Sequence, residues 1–263
     1  MSKRILITGG SGYIGTNLTT FLEGKGFVVG NVDKKLGIYA EHLRLPKKHD
    51  LFAIIHLAAL AGVVECDQNP AQAVKDNIIA SMNIFSLAAE HNIPVIVASS
   101  QAVQKPMSSV YAFTKYTMEQ YTKHYFEANI KLLRFANVYG GQNYLETKNS
   151  VIACFVQRAL KNEPLVIDGT GSHSRDFIHV DDISNAIFLA MFCRQSCDSP
   201  VDIGTGKLTT MKELADMISD NQTYDPGNPR AISTSPINPS PAKDFFGFEA
   251  KISVKDYISS LKF

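Results

Sequence analysis

A chain of 263 residues can bury one large core, or one nucleotide-binding domain with a smaller lobe packed on it. Its 26 Lys and Arg offset 25 Asp and Glu to a net charge of +1, which leaves no electrostatic footprint for nucleic acid or an acidic membrane surface. No apolar run reaches membrane-spanning length, and Met1-Ser2-Lys3-Arg4 leads straight into a strand-like run without a secretory leader; the expected setting is the cytoplasm and the expected partner a small molecule.

In chain order, short β-branched runs alternate with longer helical patterns, the grammar of a doubly wound parallel α/β sheet. A strand over Arg4–Thr8 runs into the glycine loop Gly9-Gly10-Ser11-Gly12-Tyr13-Ile14-Gly15, which opens a helix over 13–24. Val28–Val32 forms the second strand and ends at Asp33. Between Asp33 and His56 there is room for a short edge strand, 42–45, but not for a full crossover helix, which needs at least ~10–12 residues. Further strands are expected at 53–57, 95–99 and 131–135, with amphipathic helices at 70–91 and 109–128. A proline-rich surface loop is expected over 224–241. Cys66, Cys154, Cys193 and Cys197 have no ligand partners at zinc spacing and read as reduced thiols, and His56 and His179 read as structural; no metal site is expected.

Three clusters carry chemistry. Glycines between a strand and a helix let backbone approach a pyrophosphate, while the helix start offers free N–H groups and positive dipole. Asp33 lies where a carboxylate meets the adenosine ribose hydroxyls and repels a 2′-phosphate, favouring NAD over NADP, although Lys34 and Lys35 could accommodate a phosphate. Ser99-Ser100 ends a strand at the edge where ligands of open α/β sheets bind, and Tyr111 and Lys115 share one helix face four residues apart. There the ammonium is expected to lower the phenol's pKa, making a proton shuttle for hydride chemistry on an alcohol carbon. Each piece alone has a bland reading, as a helix cap or a chance Tyr-x-x-x-Lys; their conjunction in chain order is the stronger signal.

Along nearly its whole length the chain resembles the extended short-chain dehydrogenase/reductases that act on nucleotide sugars. The resemblance runs through the glycine loop, His56-Leu57-Ala58-Ala59, Asn69-Pro70, Asn77, Ala98-Ser99-Ser100, Tyr111 to Lys115, and Leu133 through Gly140. It continues in Ser150-Val151-Ile152, Pro164 to Ile167, Gly169-Thr170-Gly171, Arg175 to Asp182 and Ile203 to Gly206. It implies a Rossmann-type domain, mainly 1–140 with 170–203 returning to it, and a small C-terminal substrate-binding lobe from 141–169 and 204–263. It implies NAD as cofactor, held by Gly9, Gly12, Tyr13, Ile14, Asp33, Leu43, Leu57, Ala58, Ala59, Asn77, Ala98, Tyr111 and Lys115. It implies Ser100, Tyr111 and Lys115 as the catalytic set. Asn137 and Arg175 match positions that hold a substrate diphosphate, and Ser150, Val151 and Ile167 match positions around its base or ribose, with Ser100 on the sugar. For Arg175 a surface salt bridge with Asp176 or Asp181 is the competing reading. Apolar residues on more than one face of the two helices at 70–91 and 109–128 (Ile78, Ile79, Met82, Tyr116, Tyr121) match a homodimer surface, with burial inside one subunit as the alternative.

Within that family, dehydratases place an Asp-Glu pair after the catalytic hydroxyl, where this chain has Gln101-Ala102, and fucose-pathway epimerase-reductases use a Cys that is missing beside Ser100. What remains is a nucleoside-diphosphate-sugar 4-epimerase; a 4-ketosugar reductase and a non-catalytic NAD-binding regulator are the alternatives. Three positions depart from the pattern. The segment from Ser100 to Tyr111 is short, the acid beside the adenine is replaced at His42, and the second diphosphate arginine is represented by Arg230.

Overall fold

In the computed structural model, which describes residues 3–125, 128–147, 150–193, 199–226 and 233–261, Thr8 lies opposite Val32 on one side and His56 on the other. These residues end β1 (Arg4–Thr8), β2 (Val28–Val32) and β3 (Leu51–His56). Their sheet continues through β4 (Val95–Ser100) and β5 (Ile130–Phe135) to β9 (Val201–Ile203), in the order β2-β1-β3-β4-β5-β9 with every pair parallel. Arg230 and Cys197 lie outside the described residues.

Strand side chains alternate between two cores, as the period of two requires. Ile5, Ile7, Ala53, Ile55 and Ile96 face one core with α1 (Tyr13–Gly24) and α7 (Val180–Phe192). Ile54, Val95 and Val97 face the other, with α4 (Ala80–His91) and Met118 of α5 (Val110–Thr122). Helices on both faces explain why these strands read as continuous apolar runs.

The expected strand at 42–45 does not form. A 3₁₀ turn at Ala40–His42 is followed by extended chain, and β2 is the sheet edge. Leu43 and Leu45 do turn to the apolar core, which produces the strand-like alternation. The carbonyls of Ala40 and Leu43, however, accept hydrogen bonds from the Asn83 side chain of α4, at 2.8 and 3.1 Å, so this backbone needs no sheet partner. The helix expected over 70–91 starts with α3 (Pro70–Val74) after a short α2 (Val63–Gln68), and reaches α4 through a π turn at Lys75–Ile79. The helix expected over 109–128 stops at Thr122.

A third core lies beneath the remaining elements. β6 (Asn137–Tyr139) and β10 (Leu208–Thr210) flank β8 (Ser174–His179), and β7 (Leu165–Asp168) pairs with β11 (Gln222–Asp225). Between them pack α6 (Val151–Leu160), α8 (Met211–Asp216) and α10 (Val254–Ser260), around Phe155, Leu165, Ile167, Phe177, Leu214 and Ile258. α9 (Ser240–Phe246) returns to the first core through Ala242 and Phe246. Among the described residues, no helix is long and apolar enough to cross a membrane, and no His, Cys, Asp and Glu side chains cluster as a metal site.

Candidate active site

The carboxyl ends of β1, β2, β3 and β4 border a cavity of about 300 Å³ lined by Gly9, Gly12, Tyr13, Ile14, Asp33, Leu57, Ala58, Ala59 and Ala98. Gly9 has φ +75°, and a Cβ there would stand 2.7 Å from the Ala58 amide nitrogen. A Cβ on Gly15 would overlap the backbone of Gly9 and Gly10. Backbone therefore forms the cleft floor where side chains cannot fit, the cradle a pyrophosphate needs. The Asp33 carboxylate is oriented by the amides of Ser11 (3.0 Å) and Lys35 (2.9 Å). Lys34 pairs with Asp76 at 2.9 Å and Lys35 donates to the Ser11 carbonyl, so both cations are tied elsewhere while Asp33 presents to the cavity, an arrangement for ribose hydroxyls.

Four expected cofactor residues, Leu43, Asn77, Tyr111 and Lys115, stand back from this wall. Leu43 packs into the core behind it. Asn77, 1% exposed at the π turn, spends its amide on the backbone N–H and carbonyl of Leu60 and on the Thr114 hydroxyl, pinning the 57–62 loop to α5. In their place, Ile38, Tyr39, Ala40 and Glu41 line the cavity. The 3₁₀ turn thus brings an acid, Glu41, to the cavity one residue before His42. Lys75 holds the Glu41 carboxylate at 3.3 Å.

Behind the cavity wall, Lys115 is buried and its Nζ donates at 2.9 Å to the carbonyl of Ala98, which lines the cleft. Burial pulls the ammonium down to about 8, and the Glu119 carboxylate one turn on holds it up. Tyr111 departs from expectation: burial pushes its phenol up, and the chief opposing influence is the hydrogen bond with Ser100 rather than Lys115. The short Ser100-to-Tyr111 segment still assembles the set. Ser100 caps a 3₁₀ turn at Gln101–Gln104, a second turn covers Pro106–Ser108, and the Ser109 hydroxyl caps α5 at the Ala112 amide. Glu119, which the motif reading passed over, lies on the face shared by Tyr111 and Lys115, spaced 4 and 8 residues along. It binds Arg134 through both oxygens and accepts from Ser99, fixing α5 against β4 and β5.

A second cavity of about 360 Å³ is lined by Asn137, Ser150, Val151 and Arg175, four of the expected substrate residues, together with Val166, Asp168, His173 and Phe177. Ile167 is fully buried in the third core; alternation along β7 gives Val166 and Asp168 to the cavity instead. Asn137 donates to the Asp176 carbonyl, and the Asp176 carboxylate takes the Thr205 and Gly206 amides rather than pairing with Arg175. Between the cavities, Tyr13 lines the first and donates to the Gly140 carbonyl, while Tyr144, 5.6 Å away between ring centroids, hydrogen-bonds Ser150 of the second.

A profile of the NAD dependent epimerase/dehydratase family matches residues 5–204. The chain belongs to that family. NAD is its cofactor, and the glycine cradle, Asp33 and the buried Lys115 fit it. A putative UDP-glucose 4-epimerase of Methanocaldococcus jannaschii is 29% identical over 249 residues, 81% of each chain. UDP-glucuronic acid decarboxylase 2 of Arabidopsis thaliana is 26% identical, covering 96% of this chain and 66% of its own. The UDP-glucose 4-epimerase of Thermotoga maritima, solved with UDP-glucose, superposes with a TM-score of 0.84 at 26% identity, over 97% of this chain and 96% of that one.

Proposed function

We propose that the protein is a nucleoside-diphosphate-sugar 4-epimerase. The observation that carries this reading is the Ser100–Tyr111 pair beside Lys115 and the NAD cleft, with no acid following Ser100. Gln101 stands where an eliminating enzyme needs a proton donor, is 4% exposed, and donates its amide to the Ser235 carbonyl at 2.5 Å. NAD, when bound, supplies hydride acceptance and return at the sugar carbon. Tyr111 Oη takes the proton of the 4-hydroxyl and returns it to the same oxygen once the ketosugar has turned its other face to the cofactor. Ser100 hydrogen-bonds the phenolate and the sugar oxygen, and Lys115 keeps a positive charge beside the cofactor ribose. Arg175 and Asn137 hold the diphosphate; a guanidinium fork binds phosphate oxygens in pairs. The two cavities, bridged by Tyr13 and Tyr144, accommodate the two nucleotides.

The test is NMR of purified protein with NAD and each of UDP-glucose, UDP-galactose and UDP-glucuronic acid, and with the corresponding dTDP- and GDP-sugars. Interconversion of 4-epimers without net NADH supports the reading. Release of CO₂, a 4-keto-6-deoxy product, or an unchanged panel overturns it. Val74, Ile79, Phe113 and Tyr116 are exposed on α3, the π turn and α5. We infer that a second copy covers them; sedimentation showing a monomer at micromolar concentration would remove that inference.

A further inference from the structure

The second cavity contains two polar side chains that the diphosphate reading leaves unused. Asp168 faces it from β7 beside Val166, and no described residue donates a hydrogen bond to its carboxylate. His173, 8% exposed, stands just before β8 with Nδ1 buried and unpartnered, and no described residue hydrogen-bonds its Nε2 either. Burial first, then neighbouring Arg175, lower the His173 pKa against the Asp168 carboxylate, which raises it; the net shift is downward, so the ring is neutral at pH 7 and carries one N–H. A carboxylate and an imidazole N–H lining one cavity, both unspent, form an acceptor and a donor. Val151, Phe155, Val166 and Phe177 supply the apolar surface a flat ring needs.

We propose that Asp168 and His173 read the base of the substrate nucleotide and select one with a ring N–H next to a carbonyl, the keto edge of uracil, thymine or guanine. The inference rests on the reading of this cavity as the substrate's nucleotide end. Asp168 accepts the ring N–H, and His173 donates to the adjoining carbonyl. Cytosine and adenine present the reverse edge, an amino group beside a ring nitrogen lone pair. The carboxylate then faces a lone pair and the imidazole N–H faces a donor, leaving buried polar groups opposed or unpaired, and it is this mismatch that discriminates.

The experiment is calorimetric titration of the NAD-loaded protein with UDP, dTDP, GDP, CDP, ADP and inorganic pyrophosphate. UDP, dTDP or GDP is expected to bind at least about tenfold more tightly than CDP and ADP, the difference one hydrogen bond to a charged group makes. The UDP-to-GDP ratio then shows whether a pyrimidine or a purine is the base used. Asp168→Asn, which can turn either an oxygen or an NH₂ toward the base, is expected to bring the UDP-to-CDP ratio within about threefold. Pyrophosphate binding should stay unchanged in that variant. His173→Phe keeps a ring of similar size and is expected to weaken UDP several-fold with pyrophosphate again unchanged. An unaltered UDP-to-CDP ratio in Asp168→Asn, while all the nucleotides still bind, overturns the base-reading assignment and leaves the diphosphate reading standing. If neither nucleotides nor pyrophosphate bind, or Arg175→Ala leaves them equally tight, the reading of the cavity itself falls.

Discussion

The two cavities are built from different materials. The cofactor cleft is largely backbone and small residues at the carboxyl ends of long, sequence-adjacent strands, where Gly9, Gly12, Ala58, Ala59 and Ala98 make room and Asp33 supplies the polar contact. The second cavity is side chains from short strands of two small sheets and from the starts of α6 and α8, brought together from positions 137 to 211. A cleft made by leaving side chains out tolerates almost no added atom, whereas a cavity made by side chains can be retuned one residue at a time. That difference predicts how each will respond to substitution.

The largest expected effect falls on a residue that lines neither cavity. Tyr111→Phe removes the acid/base group and should lower kcat by about 10²–10⁴ while the affinity for NAD stays within about twofold. Steady-state rates with parallel cofactor titration check this; near-normal turnover would transfer the proton step to another group. Arg175→Ala comes next. Losing hydrogen bonds to a charged group, about 1.5–3 kcal/mol, should weaken nucleotide-sugar binding about tenfold to a hundredfold and spare NAD. Equal losses for both ligands would make Arg175 a structural arginine and erase the contrast. The converse is Gly15→Ala, whose Cβ would lie 2.6 Å from Gly10 Cα. Overpacking of about 1–3 kcal/mol should reduce NAD affinity up to about a hundredfold, with UDP binding measured separately unchanged.

The same contrast explains what could be read in advance. Strands β1 to β5, the glycine loop, Asp33, Ser100, Tyr111 and Lys115 are legible because each is a local pattern: a continuous apolar run, a turn that needs glycine, or two side chains on one helix face. Leu43 and Glu41 were not, because alternation over 42–45 matches a strand as well as it matches two leucines anchored under Asn83, and the choice is made by a side chain 40 residues away. Ile167 was misplaced by one position on a four-residue strand, where a one-residue shift exchanges core and cavity faces. Asp168 was recoverable from that alternation. His173 was not, since nothing in Gly171-Ser172-His173 says that its ring is buried beside a cavity. The phenol's pKa goes the other way because helical spacing gives proximity to a charge but says nothing of burial, and here burial is the largest influence, opposed by Ser100.

The smallest effect concerns the acid side of the cofactor cleft. The Ser81 hydroxyl donates to the Asn77 carbonyl at 2.8 Å, so it accepts from His56 Nε2 at 2.9 Å. His56 Nδ1 must then accept from Thr8 at 2.6 Å. Every atom of this relay, from the end of β1 to α4, requires a neutral ring, and burial first, then Lys115, lowers the His56 pKa to about 3. In the unfolded chain an ordinary histidine titrates near 6.5. Below that value the unfolded state binds a proton that the folded state refuses, so stability falls as pH drops. Between pH 7 and 5.5 the loss from this residue is about 1 kcal/mol, and it grows toward pH 3. Urea unfolding at the two pH values should show it, and His56→Gln should remove about that much of the pH dependence while lowering stability at both. The histidine of the second cavity, His173, is also lowered and adds to the fall in the same direction. Hydrogen exchange can separate the two: amides of β1 and β3 should lose protection on acidification in wild type and not in His56→Gln, while β8 responds alike in both. If β1 and β3 keep their protection in wild type at pH 5.5, the relay is not what makes the cleft acid-sensitive.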